Sequence, residues 1–195
     1  MAIGLRLLTA PEPLFTAAEA RDLARLAGDQ SDASVNELVA QATAFIEKRL
    51  SRSLLRTKWR QVWDAFPSNG GAMRVYRAPV LDEGLIEYID PTSADWEEFE
   101  EVYWSIDQEP ATIVPAIGES WPSVAVLPGA VRAEFYAGYG TSNSDVPAQL
   151  RRAVLTVASH WYEHPEALVT GTIATELAVN LEDILGQFEY CWEAH

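Results

Sequence analysis

The stretch VRAEFYAGYG, residues 131–140, decides how the chain is organised. Val131, Ala133, Phe135 and Ala137 alternate with Arg132, Glu134 and Tyr136, the period of a strand with one buried and one wet face. Gly138-Tyr139-Gly140 then breaks the alternation. It is half of a phosphate-binding glycine string, without the third glycine or the dinucleotide-binding helix, and reads as a strand-ending turn. Upstream, TKWRQVWDAF, MRVYRAPV, LIEYI, VYWSI and ATIVPAI are short, β-branched or aromatic, and separated by Pro and Gly, so the middle of the chain is β-rich. Asn69-Gly70-Gly71 has the composition of a hairpin turn. The segment DPTSADWEEFEE, residues 90–101, is acidic and turn-rich and reads as an exposed loop or extended arm.

Helical signals flank this middle on both sides. Thr16 and Glu19 form a capping box ahead of Ala17, Ala20, Leu23, Ala24 and Ala27, which predicts a first helix over residues 16–27. Val35, Leu38, Val39, Ala42, Phe45, Ile46 and Leu50 trace a second stripe, with Asp32 or Ser34 as its N-cap. Beyond Val146-Pro147, Leu150, Ala153, Val154, Val157 and Trp161 recur at helical spacing up to Pro165, and Leu177 to Trp192 suggests a last helix or helix-like tail. The order predicts an α+β fold: a mainly helical core, made of an N-terminal helical hairpin and the C-terminal helices, with an inserted β-rich lobe. The divisions fall at residues 1–56 (N-terminal strand and helical hairpin), 57–140 (β-rich insertion) and 141–195 (C-terminal helices and tail), within one folding unit.

Composition narrows the chemistry. The 195 residues carry 14 Lys plus Arg against 29 Asp plus Glu, a net charge of −15. A chain that grips DNA neutralises phosphates with an excess of the opposite sign, so tight DNA binding is not expected. No Lys or Arg lies between Arg77 and Arg132 or after Arg152, whereas Lys48, Arg49, Arg52, Arg56, Lys58 and Arg60 form one basic stretch. The single Cys191 excludes an internal disulfide and a cysteine-based zinc site. No apolar run approaches the roughly 18 residues of a membrane span, so the chain is expected to be soluble, without membrane partners, and made in a reducing cytoplasm.

Two constellations invite an enzymatic reading. His160-Trp161-Tyr162-Glu163-His164 matches the HxxEH string in which two His hold zinc and Glu acts as general base. Against it stand Pro165 immediately afterwards, the continuity of the His face with Ala153 and Val157, and the need for a further ligand from Glu176, Glu182 or Glu189. Cys191 with His195 lacks an orienting third group and oxyanion donors. No catalytic residue, cofactor or metal is therefore assigned, and Glu97-Glu98 and Glu100-Glu101 read as a solvated acidic loop. Of the seven Trp, Trp59, Trp63 and Trp161 suit a core, whereas Trp96 in the acidic arm and Trp192 in the tail suit an interface.

The succession TKWRQVWDAFP, YRAPV, ESWP, FYAGYG and VPAQLRRAVLTVASHWYEHPEAL, following a helical hairpin, resembles the head-to-tail connector (adaptor) family of long-tailed phages and gene transfer agents. The resemblance runs from Phe15 to Leu185 and is carried most specifically by residues 77–80 (RAPV), Trp121-Pro122, residues 137–140 (AGYG) and Val146-Pro147. The family's last helix often ends in a leucine pair and a Pro-Tyr-Arg string, whereas LEDILGQFEY stands here. The resemblance implies a non-enzymatic ring of twelve copies beneath a portal protein, at the neck between head and tail. It would join the portal to stopper or tail-completion proteins, with double-stranded DNA passing through the lumen without specific binding. It implies assembly in the bacterial cytoplasm and a C-terminal segment that reaches the portal, here Leu185, Phe188, Tyr190 and Trp192. A ring contact between unlike patches requires complementary surfaces. The expected pair is Arg49, Arg52, Arg56, Lys58 and Arg60 against Trp96, Glu97, Glu98, Glu100 and Glu101. The alternatives are a zinc-dependent hydrolase using residues 160–164 and a cellular protein-interaction adaptor.

Overall fold

The computed structural model describes residues 2–26, 30–165 and 175–189. The chain forms two compact units: Met1–Pro11 with Arg56–Gly138, and Glu12–Leu55 with Tyr139–His195.

The first unit is built on the alternation at residues 131–137. Strand β8 (Val131–Ala137) is the centre of a five-stranded antiparallel sheet ordered β1-β2-β8-β4-β5, where β1 is Ala2–Leu7, β2 Thr57–Trp63, β4 Val80–Ile89 and β5 Trp96–Glu98. A second sheet, ordered β3-β7-β6, joins β3 (Met73–Arg74), β7 (Thr112–Pro115) and β6 (Val102–Ser105). Val131, Ala133, Phe135 and Ala137 are all buried, and they share one apolar cluster with Ile86 of β4, Met73 of β3, Ile113 of β7 and Trp104 of β6. Each sheet thus covers the inner face of the other, the two-layer solution that a one-sided sheet requires. Gln61 of β2 is a fully buried polar side chain in this unit: its Nε2 donates to the Arg74 carbonyl and its Oε1 accepts from the Tyr76 amide, both at 2.8 Å. Both ends are satisfied, so burial costs it no orphaned group.

The β4–β8 ladder slips twice, between Val80 and Asp82 and between Asp82 and Leu85. Gly84 sits in the second slip. A Cβ there would fall 1.7 Å from the Glu134 carbonyl oxygen, so only glycine lets the two backbones approach.

The second unit is helical. Helix α1 (Ala17–Ala24) starts at the capping box of Thr16 and Glu19 and stops where Arg25 turns left-handed, φ 52°. Helix α2 (Asp32–Leu50) is capped by Ser31, whose hydroxyl accepts from the Ser34 amide. Helix α3 (Ala148–Glu163) follows Pro147, and α4 (Thr175–Gly186) completes the set. Their stripes meet in a single cluster containing Val35, Val39, Ile46, Leu150, Val154, Val157, Trp161 and Leu185.

This corrects the expected fold class. The chain is about 33% helix and 26% strand, a β-rich fold of two antiparallel sheets with four helices among the described residues, and not a mainly helical core carrying an inserted lobe. The reason is burial: the strands enclose a core of their own, so they are no appendage to the helices. Two local readings change as well. Residues 69–71 join β2 to β3, which lie in different sheets, so this turn closes no hairpin. Residues 90–101 do form one in part: the Asp90 carboxylate accepts from the Thr92 and Ser93 amides, and β5 folds back on β4.

Candidate functional site

The residues that invite an enzymatic reading come together only in part. His160 and His164 lie on one side of α3 and its end, ring centroids 5.0 Å apart, as a spacing of four dictates. Trp161 between them points the other way, buried and edge-on to Phe45 at 5.5 Å. Among the described residues no group of three His, Cys, Asp or Glu could hold a metal ion. Of the proposed further ligands, Glu182 is exposed and Glu189 pairs with Arg49; the Glu176 side chain, Cys191 and His195 lie outside the described residues.

The basic stretch is engaged within its own chain. In the helical unit, Arg49 pairs with Glu189 at 2.5 Å. Arg52 is buried, with Nε donating to the Phe188 carbonyl at 2.8 Å and a guanidinium nitrogen 3.4 Å from the Tyr139 hydroxyl. In the sheet unit, Arg56 pairs with Asp82 at 3.0 Å and lies over the Tyr136 ring. Lys58 and Arg60, on β2, both reach Glu134 on β8, Lys58 at 2.6 Å and the Arg60 Nε at 2.9 Å. Burial alone would push the Glu134 carboxyl up, but the hydrogen bonds from Lys58 and Arg60 outweigh it and hold it below the usual range. Donating that bond to Glu134 raises the Lys58 ammonium above its usual range.

The acidic arm is a different case. Glu97 accepts from the Tyr88 hydroxyl at 3.1 Å, and Trp96, 39% exposed, lies under the Arg132 guanidinium at 3.9 Å. Arg132 is held in turn by a two-pronged bond to Glu87, at 2.6 and 3.0 Å. Phe99 packs beside Phe66 and Trp121. Glu98, Glu100 and Glu101 are exposed and have no ion pair among the described residues. The arm therefore covers its own aromatics in part and leaves its carboxylates facing water.

Of the tail residues, Leu185 is 2% exposed inside the helical core and Phe188 packs against it; Tyr190 and Trp192 lie outside the described residues. One apolar surface escaped the sequence reading. Ile117 and Val126 are fully exposed, and Leu127 is largely so, in the connection between β7 and β8. The signal was available: AIGESWPSVAVLPG, residues 116–129, sets short apolar runs, Ala116-Ile117 and residues 124–127, between turn formers, too short for a regular element to bury in full.

Among the described residues, the cations at positions 49–60 are paired within the chain and the carboxylates of Glu98, Glu100 and Glu101 face water. No protein-family model and no curated protein matches the chain. Solved structures do. A chain in the neck of an empty GTA particle computed with C6 symmetry superposes at a TM-score of 0.81, with 22% identity over 98% of both chains. The fold is shared end to end. A chain in the virion of a native gene transfer agent (GTA) particle gives the same values. One in the neck of a native GTA particle computed with C12 symmetry gives 0.78 at 21% identity, again over 98% of both chains.

Proposed function

We propose that this protein is a structural neck component of a gene transfer agent or related tailed particle, a connector that works by shape and contact. The observation that carries this reading is the likeness of the whole fold, 98% of both chains at a TM-score of 0.81, to chains of GTA neck and virion structures. The independent resemblance of residues 77–80, 121–122, 137–140 and 146–147 to the connector family supports it. In this reading the chain acts as a ring, in twelve copies, under a portal protein. It hands over to stopper or tail-completion proteins, and double-stranded DNA passes through the lumen without specific binding. A net charge of −15 supports passage over gripping, because each phosphate held requires a cation to replace its counterions.

The subunit contact uses the acidic arm, Trp96, Glu97, Glu98, Glu100 and Glu101, and the portal contact uses the C-terminal residues from Tyr190 onward. Because the Phe188 carbonyl is held by Arg52, the informative truncation begins after Glu189. A chain ending there is expected to keep its helical content and thermal midpoint and to lose co-purification with the portal. Retained co-purification would contradict the tail assignment. The hydrolase alternative makes the opposite demand: purified protein should hold zinc near one equivalent, whereas a connector should hold none.

A further inference from the structure

We infer that the groove between α1 and α3 is the receptor for the acidic arm of a second copy of this chain, residues 95–101; this rests on the neck-ring reading above. The groove has a volume of about 650 Å³ and is walled by Leu23 and Ala24 of α1 and by Arg151, Arg152, Leu155, His160 and Glu163 of α3. Two features set it apart from the rest of the helical unit. Leu23 is 58% exposed on a helix whose Ala17 and Ala20 are buried in the core. Among the described residues, Arg151 and Arg152 have no carboxylate partner and the buried Nε of Arg151 meets no acceptor.

That orphaned donor is informative in this chain. A guanidinium beside apolar surface gains most from a carboxylate brought to it in a partly dry site, and every cation of the basic stretch at residues 49–60 is already held elsewhere. The lining contributes one carboxylate, Glu163, against two guanidinium groups, so it has room for incoming negative charge. The occupant must therefore carry several carboxylates beside an apolar or aromatic group. Residues 95–101 place Asp95, Glu97, Glu98, Glu100 and Glu101 around Trp96, and Tyr103, 63% exposed, follows on β6. The pairing is heterologous, groove on one copy and arm on the next, which is the contact that propagates around a ring.

The test is a photocrosslink in assembled particles. Full-length chain carrying benzoylphenylalanine in place of Leu23 is incorporated into particles and irradiated, and the joined peptides are mapped by mass spectrometry. The expected result is a dimer of this chain joined to residues 95–101, with a yield that falls about tenfold in the R151Q/R152Q background, as the loss of a charge-complementary contact predicts. Circular dichroism on each variant checks that the helices persist. Crosslinks to the portal, to residues 190–195 or to any other partner, or a yield indifferent to the two arginines, would overturn the groove assignment while the chain's presence in particles keeps the neck reading. Absence of the wild-type chain from particles overturns both.

Discussion

Glu134 holds the sheet unit's charges in register. It faces Arg60 directly across the β2–β8 ladder, takes a second bond from Lys58, and its side chain is only 12% exposed. Removing its charge leaves two cations with no counter-charge and one acceptor oxygen fewer, so Glu134→Gln should cost about 1–3 kcal/mol, read as a lowered urea midpoint at neutral pH. The sign of the acid response follows from the depressed carboxyl. Its stabilisation is complete above the ordinary glutamate range and is lost as pH falls from that range through the lower folded-state value. The urea midpoint of the wild type should therefore decline on acidification across that window, and the decline should be shallower in Glu134→Gln. Lys58 behaves conversely: its contribution is whole below the usual lysine range and fades as pH climbs through the raised folded-state value. None of this pairing could be read beforehand. Arg60 and Glu134 are 74 positions apart, and Arg52 and Phe188 are 136 apart, so the basic stretch read as an open patch because its partners arrive only with the fold.

At the level of elements, local chemistry was the readable part. The capping box at Thr16 and Glu19 forms as its spacing requires, and Thr16→Ala should lower stability by about 1 kcal/mol, measured as a shift in the helical unit's thermal transition. The stripe of α2 and the alternation of β8 also follow the sequence pattern, since each buries the face its period prescribes. Pairing is where the reading stopped. Residues 69–71 have hairpin composition, yet composition cannot say which strands flank a turn as partners, and β3 leaves for the second sheet. Strand β5 lies in a segment, residues 90–101, that reads as a loop or extended arm because it is acidic and turn-rich; it is three residues long and recruited by the reach of β4 and the Asp90 turn. The β4 slip makes a sharper prediction. Gly84→Ala drives a methyl into the Glu134 carbonyl, where backbone must give way, and should cost about 3 kcal/mol or more, seen as loss of most of the cooperative denaturant transition.

On the scale of the whole molecule, the expectation of a helical core failed because both halves of the chain are apolar enough to close separate cores, and a period count says what each element buries but not against what. The acidity survives as a physical argument. Titration of labelled duplex DNA with the purified chain at physiological salt should give no saturable change in anisotropy, since a net charge of −15 opposes the phosphates and leaves few cations to release their counterions. The central claim is that this chain joins head to tail by contact alone. Particles produced from cells lacking its gene, counted by electron microscopy, test it most directly: the account predicts filled or empty heads with separate tails, rescued by the wild-type gene in trans. Joined, genome-delivering particles at the normal frequency would contradict it.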